Sequence, residues 1–576
     1  MPKIEGAALV SKSLQREGTK HIYSVPGGPI GEILASGTHY GIRPIGMRHE
    51  QAAVFASIGE AYVSNTVGVS TLAGGPGVTN GVTGAHVAWD NSIPIVILGG
   101  SYPLRGHMSG TFQETDNIPM YKSITKLAIK VETPERIPEY MAMAFRKARS
   151  GRPGPVYLDL PSDVLSAEVD EEGVRWPALQ SAPRPAGDPN AIKRAAEVLL
   201  RAERPMMILG KGVRWSEPVM ELRTLVESLG IPFVPSPMGR GFIPDDHPLN
   251  MNAARNAVMS NCDAVLIVGA RMNWMFDAGR RSGARGVTTP PFPPTAKVIQ
   301  IDIEAEEIGT NRTVDVGIVG DAKVVLQQLL AELEGKTGGM AERAEEGPWL
   351  TALRQEAKKN GVAVDSVMNS DARPIHTHRL LKEVRDVFPR DTIYTVDGAT
   401  TLNAGRQVLQ SYTPASRLNC GSNGCIGVGV PFAVGAKLAR PNVPVVSVNG
   451  DCAFGYNGME VGTAAQYKLP IVFIINNNAG IVGSSFQSRM ELAPGYNDYI
   501  STYDPAFRYD LTASIFGGHS ENVTEPADIR SAIQRAYDAT KRGQVAVVNV
   551  MSDPKDMGTM RGAQASGRAS ALLGYG

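Results

Sequence analysis

An acid and an amide at the ends of two apolar runs form the pattern with the most specific chemistry in this sequence. Asp451 follows the run 444–450, and Asn478 follows the run 469–477, 27 positions later. If the two runs are neighbouring parallel strands, their ends meet at one edge of a sheet. Carboxylate, amide and carbonyl oxygens, the last from Gly480, are ligands that Mg²⁺ prefers, and a phosphorylated cofactor and water would complete its octahedron. The alternative is a turn acid beside an asparagine-rich strand exit.

Glycines around this pattern favour a diphosphate ligand, because a residue without a side chain lets backbone N–H groups approach phosphate oxygens. The candidate cofactor contacts on this edge are Gly450, Asp451, Cys452, Ala453, Asn478, Gly480 and Ile481. The candidate metal ligands are Asp451, Asn478 and Gly480.

A second acid, Glu50, opens a predicted helix after the strand-like stretch 41–45. A carboxyl group at such a position can take part in proton transfer. A glutamate at a helix start is more commonly a residue that interacts favourably with the helix dipole. The catalytic interpretation of Glu50 therefore depends on its occurrence together with the Asp451 pattern.

The elements that must position these residues alternate along the whole chain, as is typical of parallel sheets wrapped by helices. Strands are predicted at 21–26, 68–72, 93–99, 156–160, 205–210, 231–236, 263–269, 297–303, 392–398, 444–451, 469–478 and 545–551, and helices at 4–17, 50–64 and 136–149. We therefore predict an α/β protein with three consecutive parallel-sheet domains.

The predicted domains comprise residues 1–175, 190–345 and 372–552. A proline-rich segment, 176–189, reads as the linker after the first domain. The small, polar residues 553–576 form a C-terminal tail, which is either a floppy end or a lid that orders over a ligand.

Composition excludes several function classes. The 57 Lys+Arg residues balance the 57 Asp+Glu residues, so bulk charge gives no reason to bind nucleic acid or an anionic membrane. No apolar stretch approaches the roughly 18 residues of a membrane span, and the first residues lack a signal-peptide pattern. Four cysteines without CxxC spacing form neither a disulfide framework nor a zinc motif. We expect a soluble, cytoplasmic protein.

Three segments together resemble the signatures of thiamine-diphosphate enzymes. The first is Gly450-Asp451 followed by Asn476-Asn477-Asn478, and the second is His49-Glu50-Gln51. The resemblance implies that thiamine diphosphate and Mg²⁺ bind at Asp451, Asn478 and Gly480. It also implies that Glu50 bonds N1′ of the aminopyrimidine ring and thereby activates the cofactor as a nucleophile.

The third segment, 420–436, is similar to the pyrimidine-binding stretch of the same family. The resemblance implies that Ile426 wedges beneath the cofactor, and that the backbones of Gly424 and Ile426 address the pyrimidine edge. A dinucleotide fingerprint built on Gly427 and Gly429 is the alternative, but the third glycine falls at the wrong spacing.

The resemblance covers nearly the whole chain and is strongest to oxalyl-CoA decarboxylases and 2-hydroxyacyl-CoA lyases, through Gly210-Lys-Gly, 268–274 and Ile301-Asp-Ile-Glu. In these relatives the central domain binds ADP, for which Asp302 is the candidate ribose ligand, or else a surface residue at a strand end. The substrate carries coenzyme A. Arg240, Arg406 and Arg568 are candidate phosphate contacts, although each could equally be a solvated surface arginine.

Departures from the decarboxylase pattern favour the lyase. Phe112 and Gln113 stand where the decarboxylases tend to have a Tyr-Glu pair, and Val482 stands where they have tyrosine. The loss of a ring and a hydroxyl makes room for an alkyl group on the substrate. Gln113 would hydrogen-bond the adduct. Glu491 is a candidate base for the substrate hydroxyl, or else a loop acid.

The sequence therefore predicts a thiamine-diphosphate-dependent 2-hydroxyacyl-CoA lyase, which cleaves a thioester such as 2-hydroxyisobutyryl-CoA to formyl-CoA and an aldehyde or ketone. Oxalyl-CoA decarboxylase is the nearest alternative. Acetolactate synthase, an NAD-type oxidoreductase on the Gly210 turn and a catalytically silent nucleotide-binding homologue are less favoured. In the family Glu50 serves a cofactor held by another chain, which implies a homo-oligomer, a dimer at minimum and commonly a tetramer.

Overall fold

Parallel sheets flanked by helices recur three times in the described part of the chain, which comprises residues 3–179, 181–273, 275, 292–481 and 500–558. The structure is a computed structural model. Contacts divide the chain into two compact units. The first contains Met1–Pro183, Val430–Asn442 and Asn457–Ile471, and the second contains Arg184–Gly429, Val443–Tyr456 and Val472–Gly576.

The first sheet lies in the first unit and has the strand order β3-β2-β4-β5-β7-β6, with parallel pairing throughout. Its central strands are fully buried, as expected for a sheet covered on both faces. Strands β1 and β8 form a separate antiparallel pair. The strands are β1 Lys3–Glu5, β2 His21–Val25, β3 Arg43–Gly46, β4 Gly68–Leu72, β5 Ile95–Ser101, β6 Leu127–Lys130, β7 Pro155–Pro161 and β8 Glu168–Asp170. The helices are α1 Gly6–Arg16, α2 Gly31–His39, α3 Glu50–Ser64, α4 Pro76–Asn80, α5 Val82–Asn91, α6 Ile118–Lys122, α7 Ile137–Arg149 and α8 Ser162–Ser166.

The second sheet has the order β10-β9-β11-β12-β13 and is parallel. Leu350 and Leu353 of α14 belong to its hydrophobic core, so this core includes residues beyond 345. The strands are β9 Pro205–Leu209, β10 Phe233–Pro235, β11 Ala264–Val268, β12 Lys297–Asp302 and β13 Val316–Val319. The helices are α9 Pro189–Arg201, α10 Val219–Leu229, α11 Arg255–Asn261, α12 Ala322–Leu333, α13 Met340–Glu346 and α14 Pro348–Met368.

The third sheet has the order β15-β14-β16-β17-β19-β18 and is also parallel. After β14 the chain adds β15 on one side and β16 on the other, so the strand order switches between β14 and β16. Parallel sheets of this kind bind ligands at the carboxyl ends of the strands beside such a switch point. The strands are β14 Ile393–Asp397, β15 Arg417–Leu418, β16 Val445–Gly450, β17 Val472–Asn477, β18 His519–Val523 and β19 Ala546–Met551. The helices along this stretch of the chain are α15 Thr377–Val387, α16 Ala399–Val408, α17 Gly429–Ala439, α18 Asp451–Asn457, α19 Glu460–Gln466, α20 Leu511–Ile515 and α21 Ile529–Lys541. Of these, α19 and all of α17 after Gly429 belong to the first compact unit.

The predicted α/β class with three parallel sheets is confirmed. Every strand predicted from the sequence is present, within a few residues of its expected bounds. The predicted helix 4–17 is present as α1, which begins two residues later because β1 occupies Lys3–Glu5 and pairs with β8. The tail from residue 559 onward lies outside the described residues. Among the described helices, none is long and apolar enough to span a membrane.

Candidate active site

Glu50 is positioned by the start of α3 and by the turn that follows β4. His49 caps α3, since its Nδ1 accepts the backbone N–H of Gln51 at 3.1 Å. The Glu50 carboxylate accepts a hydrogen bond from Asn80 Nδ2 at 3.0 Å. Gly77 lies directly beneath it, and a Cβ there would come within 3.2 Å of Glu50 Oε1. The carboxylate is thus held in one orientation over the 74–77 turn.

Gln113 lies over the same turn, from the loop that follows β5. Its backbone is in the left-handed region, with φ of 60°. A Cβ at Gly75 would come within 2.9 Å of Gln113 Cβ, and a Cβ at Gly74 within 3.6 Å of its Oε1. Phe112 beside it is 88% exposed. The fold therefore gathers Glu50 and Gln113, predicted from distant parts of the sequence, around one turn.

Glu114 holds the loop that carries Phe112 and Gln113. Its carboxylate accepts the backbone N–H groups of Met108, Gly110 and Thr111. Although partial burial opposes ionisation, these donors lower the pKa of Glu114 below its ordinary value. The sequence interpretation missed Glu114. The sequence feature that could have identified Glu114 is an acid shortly after a glycine, Gly110, in a loop.

Asp451 and Asn478 lie at the carboxyl ends of neighbouring strands of the third sheet, as predicted. Gly450 of β16 is in register with Asn476 of β17, and the residues that follow carry the two side chains. Asp451 is 1% exposed and Asn478 is 3% exposed. Asp451 Oδ2 accepts the backbone N–H of Gly480 at 2.8 Å, so the carboxylate joins the ends of the two strands.

The donor set at Asp451 fits a hard divalent cation. Burial raises the pKa of Asp451 to about 7, even though the backbone N–H groups of Cys452 and Gly480 act in the opposite direction. A buried carboxylate of this kind gains stability in its ionised form when a cation lies beside it. Carboxylate and amide oxygens at this edge are the ligand types that Mg²⁺ takes. Cys452 and Ala453 form the first turn of α18, beyond Asp451.

Asp397, at the end of β14, positions the segment that contains Ile426. Its Oδ2 accepts the backbone N–H groups of Gly427 at 2.9 Å and Gly429 at 2.8 Å. Gly424 and Ile426 precede these anchors and are half-buried. Burial raises the pKa of Asp397 to about 6, against the effect of its backbone donors. The sequence interpretation missed Asp397, although an acid next to a glycine at the end of an apolar strand is the kind of signal that identified Asp451.

The second sheet also has a switch point in its strand order, between β9 and β11, because β10 is added on one side of β9 and β11 on the other. The backbones of Gly210 and Gly269 meet there, and Gly212 N–H donates to the Gly269 carbonyl at 3.0 Å. A Cβ at Gly210 would lie 2.0 Å from that carbonyl oxygen, which a side chain cannot do. Asp302 ends the adjacent strand β12 and is 9% exposed. These residues surround the place where such sheets bind nucleotides.

The candidate arginines that the structure describes lie between the second and third sheets. Arg240 is 5% exposed and forms an ion pair with Asp245, in which Nη2 and Oδ2 are 2.6 Å apart. Its Nη1 donates to the carbonyl oxygen of Arg406 at 2.9 Å. Arg240 therefore already has partners within the chain, and Arg406 is half-buried. Three further predicted site residues lie outside the described residues: Val482, Glu491 and Arg568.

These features define a class of protein: an α/β enzyme whose parallel sheets present buried acids and glycine turns to a phosphorylated cofactor. Three family profiles match the chain. The profile of the N-terminal TPP binding domain of thiamine pyrophosphate enzymes matches residues 4–120, that of the central domain matches 192–329, and that of the C-terminal TPP binding domain matches 398–550.

Full-length relatives agree with these profiles. A protein of Oryza sativa subsp. japonica named 2-hydroxyacyl-CoA lyase is 34% identical over 568 residues, which cover 96% of each chain. Human 2-hydroxyacyl-CoA lyase 1 is 31% identical over 564 residues, 96% of this chain and 95% of its own. Oxalyl-CoA decarboxylase of Escherichia coli (strain K12) is 34% identical over 558 residues, 96% of this chain and 95% of its own. The chain therefore belongs to the thiamine pyrophosphate enzymes, and the predicted family is confirmed.

Proposed function

We propose that this protein is a thiamine-diphosphate-dependent 2-hydroxyacyl-CoA lyase, which cleaves its substrate to formyl-CoA and an aldehyde or ketone. Branched thioesters such as 2-hydroxyisobutyryl-CoA are the substrates we favour. The observation that carries the proposal is the placement of Glu50 and Gln113 around the 74–77 turn. The lyases of rice and human, matched along nearly their full lengths, support it.

The residues at the 74–77 turn have distinct roles in this proposal. When bound, thiamine diphosphate supplies a carbon nucleophile and accepts the electron pair of the broken C–C bond. Glu50, oriented by Asn80, holds the proton that activates the pyrimidine ring. Gln113 is a neutral amide, so it can donate to an oxygen of the substrate without introducing charge.

At the third sheet, Asp451, Asn478 and the carbonyl oxygen of Gly480 would hold Mg²⁺, and the backbone from Gly450 to Ala453 with Ile481 would hold the diphosphate. Asp451 and Asn478 are buried and offer side-chain oxygen atoms, which supports their assignment as Mg²⁺ ligands. Ile426 and Gly424, anchored through Asp397, would bind the pyrimidine ring. At the second sheet, Gly210, Gly269 and Asp302 would bind ADP.

The remaining parts of the proposal concern the substrate and the assembly. Arg406 and Arg568 are candidate contacts for coenzyme A phosphates, Phe112 and Val482 for the acyl group, and Glu491 for the substrate hydroxyl, whereas Arg240 is already engaged by Asp245. We also propose a cytoplasmic homo-oligomer, a dimer at minimum and a tetramer as the expected form. Met108 and Phe112, which are 86% and 88% exposed, are apolar side chains that a second copy could cover. Light scattering of the purified protein measures this assembly.

Oxalyl-CoA decarboxylase is the second candidate, because the Escherichia coli enzyme of that name is also 34% identical over 558 residues. Chromatography of acyl-CoA species separates the two. The protein is mixed with thiamine diphosphate, Mg²⁺ and either 2-hydroxyisobutyryl-CoA or oxalyl-CoA. Formyl-CoA and acetone from the former support the lyase. Formyl-CoA and CO₂ from oxalyl-CoA alone would make it a decarboxylase and contradict our interpretation of Phe112, Gln113 and Val482.

A further inference from the structure

Two histidines at the start of α15 and an aspartate after β19 lie close together, and none of them has a role in the proposed lyase reaction. His376 precedes α15, His378 lies in its first turn, and Asp556 follows β19. Their candidate ligand atoms all lie within 4.8 Å of one another. His376 Nδ1 and Asp556 Oδ2 are 3.4 Å apart, which is about the separation of two ligands on one tetrahedral zinc ion with bonds of about 2.0–2.1 Å.

The unpartnered nitrogen of His378 indicates that this cluster is a ligand site. The His378 side chain is fully buried, and its Nε2 lies 3.3 Å from Gln407 Oε1. Because Gln407 Oε1 is an acceptor, Nε2 carries the hydrogen and Nδ1 retains its lone pair. Nδ1 is buried and has no hydrogen-bond partner among the described residues. A histidine that donates through one nitrogen and offers the other is the arrangement that metal sites use.

The carboxylate of Asp556 is held by the backbone in a similar way. Oδ2 accepts the N–H of Thr377 at 2.8 Å, and Oδ1 accepts the N–H of Gly558 at 2.7 Å. Asp556 is 7% exposed, whereas the His376 side chain is 25% exposed, so an ion can enter from the His376 side. The backbone N–H of His378 donates to His376 Nδ1, with the two nitrogens 3.2 Å apart. A bound ion would compete with this backbone N–H for the lone pair of His376 Nδ1.

We propose that His376, His378 and Asp556 form a binding site for a transition-metal ion such as Zn²⁺ or Co²⁺. Two neutral imidazoles and one carboxylate suit these ions, whereas Mg²⁺ prefers oxygen ligands. The ion would link the start of α15 to the segment after β19, two regions that are far apart along the chain. It would thereby stabilise the folded state of the part of the chain that contains the third sheet. This site is separate from the Mg²⁺ ligands at Asp451.

The test is titration of the untagged holoenzyme, with Mg²⁺ and thiamine diphosphate present, by Zn²⁺ in a calorimeter and by Co²⁺ with absorption spectroscopy. We expect about one equivalent of tight binding and visible bands of nitrogen- and oxygen-coordinated Co²⁺. His376→Ala and Asp556→Asn should each raise the dissociation constant at least about a hundredfold. Asp556→Asn keeps an acceptor for the Thr377 N–H, so it guards against a folding defect in the alanine variant.

His519→Ala is the matched control, because His519 is a half-buried histidine on strand β18 that is paired with Glu521 at 2.8 Å. Its zinc and cobalt affinities should equal those of the parent. Absence of stoichiometric binding in the parent overturns the proposal. So does unchanged binding in both site variants, or a thiolate-to-cobalt charge-transfer band, which would place the ion on a cysteine.

Discussion

Asp451→Asn is expected to stabilise the cofactor-free protein at alkaline pH while abolishing its stabilisation by Mg²⁺ and thiamine diphosphate. Asp451 is buried at the edge of the third sheet, and burial raises its pKa from 3.8 to about 7. Between these values the folded chain binds more protons than the unfolded chain, so the stability of the cofactor-free protein falls as pH rises. Asparagine has the same shape and does not ionise.

The magnitude follows from the pKa. A rise from 3.8 to about 7 corresponds to about 4 kcal/mol of unfolding free energy lost once the pH exceeds 7, and to about 2 kcal/mol at about pH 5. The Asp451→Asn variant would avoid this cost, and the oxygen of its new side chain could still accept the Gly480 N–H. For a domain of this size the gain corresponds to a rise in melting temperature of about 10 °C at about pH 8, and about half of that at about pH 5.

The assay is thermal unfolding of the parent, Asp451→Asn and Asp391→Asn proteins at both pH values, with and without Mg²⁺ and thiamine diphosphate. Asp391 is exposed, so its variant should match the parent throughout. Ligands should raise the melting temperature of the parent and the control but not of Asp451→Asn, since bound ligand stabilises the folded state by mass action. A cofactor-free Asp451→Asn protein that melts at or below the parent at about pH 8 would refute the reasoning.

Three further predictions concern the other parts of the site. Glu50→Gln should lower formyl-CoA production at least about a hundredfold, because it removes a proton-transfer group, while the melting temperature stays unchanged. Asp397→Asn replaces the carboxylate that accepts the backbone N–H groups of Gly427 and Gly429 by a side chain that carries an NH₂ group, so thiamine diphosphate binding measured by calorimetry should weaken. Gly210→Ala places a Cβ 2.0 Å from the Gly269 carbonyl oxygen, so it should lower the melting temperature and abolish ADP binding.

Controls for these predictions come from the same chain. Glu32→Gln changes an exposed acid in the first turn of α2 and should leave turnover unchanged. Gly338→Ala has open space around its Cβ and should leave ADP binding unchanged. Turnover of Glu50→Gln within about tenfold of the parent would contradict the proton-transfer role of Glu50. Tight ADP binding by Gly210→Ala would contradict the assignment of ADP to Gly210, Gly269 and Asp302.

The interior of each sheet could be predicted from the sequence, because strands covered on both faces are continuous apolar runs. The strands β6, β13, β15 and β18 were not predicted, and each lies at the edge of its sheet. Their residues are partly exposed or too few to form such a run, as in β6, which is half-buried throughout, and β15, which has two residues. Pairing with a neighbour, rather than their own composition, makes them strands.

The sequence by itself determined the family, the order of the three sheets and the positions of Asp451 and Asn478. Residues that act together at the ends of neighbouring strands are separated by a nearly fixed number of positions, so their spacing can be recognised in the sequence. Only the tertiary structure decided that Asn80 holds Glu50 and that Arg240 pairs with Asp245. It also decided that His378 and Asp556 meet. Such contacts join residues whose separation along the chain varies freely, so no local pattern predicts them until the strands and helices have packed.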